Sequence, residues 1–174
     1  MTSSVRLMAL CLVLSGCEAG GGSERWELSD GTVLELELGE PAQRETGDAR
    51  VLWGLESGLT VTGQELAADV RSPEGRRTAR AVATALVERV ELGEQRGELS
   101  SSPCRVGAVA GECVSGWMEH DGRRFSRRGV VLEAGELIVW LDVSAPVARR
   151  REVDARWRGI ARTLRTERSG DGRS

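Results

Sequence analysis

Apolar and acidic residues alternate along residues 26–38: Leu34, Leu36 and Leu38 share one side, and Glu35 and Glu37 the other. That is the period of a half-buried strand. Asp30 and Gly31 interrupt the run and predict a hairpin. Parity selects its turn. A two-residue Asp-Gly turn would set Trp26 against Glu35, whereas a three-residue loop with left-handed Gly31 sets Trp26 against Leu34 and Leu28 against Thr32. The second keeps the apolar side chains together. Gly39, Glu40 and Pro41 end the strand, and a polar link is expected up to Ala49. Residues 51–55 and 59–61, flanking Ser57 and Gly58, predict the next pair of strands.

Further along, Ser72, Pro73 and Glu74 read as a helix start, with Ser72 as cap, Pro73 at the first helical position and Glu74 at the positive end of the dipole. The stripe Ala79, Val82, Ala83, Leu86, Val87, Val90 then keeps helical spacing as far as Gly93. After Cys113 the period returns to two. Residues 114–119, 123–133 and 136–143 predict a three-stranded antiparallel meander with turns at His120-Asp121-Gly122 and Ala134-Gly135. Pairing across the second turn would set Leu132 against Leu137 and Val130 against Val139. Val131, Ile138 and Trp140 on the reverse face are too apolar for water, so both sides of the last strand should be covered. A terminal helix follows Pro146, with Val153, Trp157, Ile160, Ala161 and Leu164 inward. From Glu167 the chain is polar and is expected to fray.

Composition narrows the chemistry. Of 174 residues 40% are hydrophobic but only 3% aromatic, so the core must come mainly from Leu, Val and Ala. All 24 basic residues are Arg, and the absence of Lys excludes a P-loop lysine or a Schiff base. A single His excludes a multi-His metal site.

The amino terminus carries Arg6 and then an eight-residue apolar run, Leu7 to Leu14. Eight helical residues span only about 12 Å against the ~30 Å hydrocarbon layer, so the run is too short to cross a membrane and reads as an export signal. Leu14-Ser15-Gly16-Cys17 resembles the lipobox of bacterial lipoproteins. The resemblance implies cleavage before Cys17 and acylation of its thiol. Glu18 to Ser23, rich in glycine, would then tether a domain to the membrane. Cys11 would leave with the leader and Cys17 would carry lipid, so Cys104 and Cys113 remain as a pair in an oxidising compartment and are expected to be bridged. A metal pair or a redox dithiol is the alternative, but no further Cys or His is placed to complete a zinc site and the spacing is not C-x-x-C.

The order of elements is hairpin, link, strands, helix, disulfide-bearing connection, meander and terminal helix. With Leu36-Glu37-Leu38-Gly39-Glu40-Pro41, the run from Gly129 to Leu141 and the helix from Trp157 to Leu164, it resembles the PsbP-like/DcrB-like α/β/α sandwich of small bacterial lipoproteins. That resemblance implies an α+β fold, an antiparallel sheet with two main helices packed on it, used as a binding or assembly scaffold. Fold analogy alone does not transfer function.

Candidate chemistry is sparse. Glu119, His120 and Asp121 form the one cluster where a cation or an acid/base pair could be placed, and an envelope hydrolase or metal-dependent enzyme near His120 is the alternative function. Adjacent strand residues point to opposite faces, however, and Asp121-Gly122 is hairpin-turn chemistry. Ser115 in Val114-Ser115-Gly116-Trp117 lacks the elbow of a nucleophilic serine. Charge is polarised: residues 17–100 hold nine arginines against seventeen acids, a balance of −8, and residues 101–174 hold fourteen against ten, a balance of +4. Arg123, Arg124, Arg127 and Arg128, with the arginines of the last helix, are expected to form a face for an anionic envelope component or an acidic partner. The bland alternative is arginines paired with acids on the chain itself. Nucleic acid suits an exported chain of net charge −3 poorly. The expected organisation is a signal at 1–16, a lipidated Cys17 and tether at 17–24, an α+β domain at 25–166 and a disordered tail at 167–174. Partners are expected to be the membrane, through Cys17, and an envelope component, with no cofactor and no metal.

Overall fold

The computed structural model describes residues 23–40, 42–66, 78–93 and 95–168. The signal, Cys11, Cys17 and the Ser72-Pro73-Glu74 helix start lie outside them.

The first hairpin joins β1 (Ser23–Glu27) to β2 (Thr32–Glu37) in the register parity demands, with Trp26 opposite Leu34. Gly31, at φ 80°, closes the loop by donating to Leu28, and Leu28 N–H donates to Thr32. Asp30 accepts from the backbone of Thr32 and, across the molecule, from Glu136. Partial burial works against its charge, but these bonds outweigh it and hold the carboxyl below its ordinary 3.8.

Residues expected to form a polar link are instead a strand, β3 (Ala42–Gly47), paired to β4 (Arg50–Leu55), which pairs in turn with β5 (Thr60–Glu65). Helix α1 (Ala79–Glu91) carries the predicted stripe. Its cap is Thr78, extended at φ −132°, whose hydroxyl accepts from Ala81 N–H at 3.1 Å. Glu133, reaching over from a strand, accepts from Ala79 N–H and places a carboxylate at the positive end of the helix dipole.

The expected meander gains a strand. β6 (Gly97–Val106) and β7 (Val109–His120) form a long hairpin, so the disulfide-bearing connection is itself paired strand. β8 (Arg123–Ala134) and β9 (Leu137–Pro146) follow. Their register differs from the expected one: Leu132 faces Val139 and Val130 faces Leu141, because the turn is Gly135-Glu136 with Gly135 at φ 62°. The two-residue slide keeps every side chain on its expected face. A single turn of 3-10 helix, Val147–Arg149, leads into α2 (Arg150–Thr163), and β10 (Arg165–Arg168) then pairs with β2. Glu167, expected in the tail, faces Val33, and Glu24, expected in the tether, faces Leu36.

Two sheets result, β1-β2-β10 and β3-β4-β5-β9-β8-β7-β6. The small sheet and α2 cover one face of the large sheet, burying Leu34, Trp53, Leu132, Leu141, Trp157 and Ile160. Helix α1 covers Val114, Val131 and Ile138 on the other. Both faces of β9 are therefore covered, as Val131, Ile138 and Trp140 require. The architecture is the expected α+β sandwich, with a small sheet sharing one outer layer. Each fully buried Leu or Val contributes about 1.5–3 kcal/mol.

Candidate functional site

Strand alternation splits the four arginines of β8. Arg123 and Arg127 stand on the α1 face of the sheet, and Arg124 and Arg128 on the α2 face. Most are also neutralised. Arg127 lies 3.1 Å from Asp142 and over the Trp140 ring, Arg128 bonds Asp154 of α2 at 3.0 Å, and Arg124 stacks on Trp117 with Glu119 at 4.0 Å. The expected single basic face is not formed, for the physical reason that one strand has two sides.

Asp142 is the most perturbed group. It is 2% exposed, and although Arg127 Nε is close, the approach misses hydrogen-bonding direction and Oδ2 has no donor. Burial pushes its carboxyl up to about 6 against the pull of Arg127 and Arg50.

His120 is exposed on the β7–β8 turn, with Nε2 3.4 Å from the equally exposed Asp121, while Glu119 turns to the opposite face and pairs with Arg96. Alternation separates the cluster as expected. No group of three ligating side chains gathers among the described residues.

Among the described residues, two concavities at α2 stand out. The larger, about 400 Å³, lies between α2, the end of β2 and the β4–β5 turn. Its polar groups satisfy one another: Arg156 bonds Leu38 O and Glu40, Glu40 accepts from both the amide and the hydroxyl of Ser57, and Arg149 bridges Ser57 O to Glu152. Partial burial opposes ionisation of Glu40, but the Ser57 bonds, Arg156 and Arg149 hold its carboxyl below 4.5. This network latches α2 to two loops and leaves little for a ligand.

The smaller, about 190 Å³, is a groove on the α2 face of β6, β7 and β8, beyond the amino-terminal end of α2. Two cross-strand rows build its floor. Glu98, Trp117 and Ser126 form one, and Ser100 and Ser115 the other. Val147 and Arg150 close it from the 3-10 turn and α2. Ser100 and Ser115 hydroxyls lie 3.3 Å apart. The next row along the same face holds Cys113, whose bridge to Cys104 (Cα–Cα 5.6 Å) ties edge strand β6 to β7. The bridge is the expected pair and fixes the groove's outer wall. Trp117 was legible only as a strand residue and Ser115 only as a non-catalytic serine. Ser100, Ser126 and Arg150 gave no local signal, because register alone assembles them.

No family model matches this sequence, and no curated protein does. Solved structures do. Cyanobacterial PsbP (CyanoP) from Synechocystis sp. PCC 6803 is similar at 14% identity and a TM-score of 0.54, over 88% of this chain and 99% of that one. PA94 from Pseudomonas aeruginosa, a protein of unknown function, gives 16% identity and 0.51, over 82% and 96%. LpqN of Mycobacterium tuberculosis, involved in cell envelope biogenesis, gives 11% and 0.51, over 83% and 90%. The fold is PsbP-like.

Proposed function

We propose that this chain is a lipid-anchored cell-envelope protein of the binding or scaffold type, held at the membrane by acylated Cys17 with its α+β domain outside the cytoplasm. The observation that carries the reading is the Cys104–Cys113 bridge on an edge hairpin, since such bonds persist in oxidising compartments. The lipobox-like sequence before Cys17 supplies the anchor, and the likeness to an envelope-biogenesis protein agrees with the location. Among the described residues no helix is long and apolar enough to cross a membrane; in this reading attachment is through the lipid on Cys17. Two or more acyl chains at ~0.8 kcal/mol per buried CH₂ hold a protein stably where one does not.

Cys17→Ala tests this by membrane fractionation of the full chain in a bacterium that lipidates exported proteins. The unaltered chain should pellet with membranes and resist salt washing, and the variant should be released. A variant that still pellets and resists salt refutes the anchor.

A further inference from the structure

From the groove beside Trp117 we infer that the domain binds a glycan, taking one pyranose ring between the indole and the 3-10 turn. The groove differs from the larger concavity in having polar groups without partners. Ser126 is 4% exposed, lines the groove, and its hydroxyl makes no hydrogen bond among the described residues. Arg150 and Glu98 also line the groove, with no ion pair among the described residues. Val147, 39% exposed, is one of two large apolar side chains left in solvent among the described residues, and it too borders the groove.

The indole is set up as a platform. Arg124 sits over the Trp117 ring at 4.6 Å, on the side of Glu119, its cross-strand partner. Ser115, two residues the other way along β7, lies in the groove. Arg124 therefore holds the ring in place by stacking on it, and Trp117 itself lines the groove.

The mixture selects the ligand class. A pyranose has an apolar C–H face and an equatorial belt of hydroxyls that both donate and accept. Trp117 and Val147 supply the apolar contact, Glu98 accepts, Arg150 donates, and the serine hydroxyls do either. A simple anion would meet the Glu98 carboxylate, and an aliphatic chain would leave Ser126 buried and unpaired. The volume of about 190 Å³ suits one ring, with neighbouring sugars running out along the sheet. The inference rests on the binding reading above but not on the anchor.

The test is titration of the full chain, in detergent, with maltopentaose, cellopentaose and chitopentaose, followed by tryptophan fluorescence and saturation-transfer NMR. At least one should bind in the millimolar range or tighter, with transfer strongest to ring C–H protons. Trp117→Ala should weaken it at least about tenfold, Ser126→Ala about threefold to tenfold, and Trp117→Phe, which keeps a platform, less than Trp117→Ala. Circular dichroism should show all three variants folded. Binding unchanged in both Trp117→Ala and Ser126→Ala overturns the site. Binding of inorganic phosphate or an acidic peptide with no pentasaccharide bound overturns the ligand class. Should no probe bind while Cys17→Ala still releases the protein from membranes, the glycan inference fails alone. Should a pentasaccharide bind while Cys17→Ala stays in the pellet, the anchor fails alone.

Discussion

Replacing Asp142 with Asn removes a carboxyl that burial has pushed from an ordinary 3.8 up to about 6. The native state then holds a proton that the unfolded chain releases first. Stability from this group is complete below about pH 4 and is lost as pH rises through 6, opposite in sign to a salt-bridged carboxylate. The gap of roughly two pH units corresponds to about 3 kcal/mol at most, at ~1.4 kcal/mol per unit. Asp30 and Glu40, held low, change stability the other way at more acidic pH, so the comparison with Asp142→Asn is what isolates the effect. Urea unfolding followed by tryptophan fluorescence at about pH 4.5, 5.5, 6.5 and 7.5 gives the difference between the two chains. The wild type should lose stability relative to Asp142→Asn as pH rises from about 4.5 to 6.5, and the difference should level off between about 6.5 and 7.5. A difference independent of pH, or a wild type that gains on the variant as pH rises, would mean that the Arg127 ion pair sets the proton and burial does not.

Removing the bridge with Cys104→Ser and Cys113→Ser should cost about 2–3 kcal/mol for so short a loop; equal unfolding midpoints for the variant and the oxidised chain would count against a structural role. Thr78→Ala should destabilise by about 1 kcal/mol through loss of the bond to Ala81, read by denaturation, and no change would place the cap elsewhere. Gly63→Ala should cost about 1–3 kcal/mol and alter tryptophan fluorescence, because an added Cβ would lie 2.5 Å from the Trp26 ring; an unperturbed variant would dispute that packing. Leu34→Ala, at a position with no exposure, should cost about 2–5 kcal/mol in the same assay, and less than about 1 would dispute the core.

What the sequence revealed followed burial. Strands with one side in the core announced themselves: Leu34, Leu36 and Leu38 gave both the hairpin and its register. The three unpredicted strands are all edges. In β3, Gln43, Arg44, Glu45 and Thr46 are exposed, so no period of two survives. β6 carries three successive serines and a proline, tolerable only where one side of the backbone lacks a neighbour. β10 is polar and held by its ladder to β2. Backbone pairing leaves no mark on such residues. The β8–β9 turn slipped because Ala134-Gly135 and Gly135-Glu136 differ by one residue while preserving the faces. Alternation along β8 was already enough to divide Arg123 and Arg127 from Arg124 and Arg128. The groove was illegible for a different reason: its floor comes from three strands whose pairing sets Glu98, Trp117 and Ser126 abreast, and no local pattern encodes that juxtaposition.

The reading of function stands or falls with Cys17. Intact mass and peptide mapping of the chain purified from bacterial membranes should find a mature amino terminus at Cys17 carrying a diacylglycerol thioether. A leader still attached, or a free thiol at that residue in membrane-purified material, would contradict it.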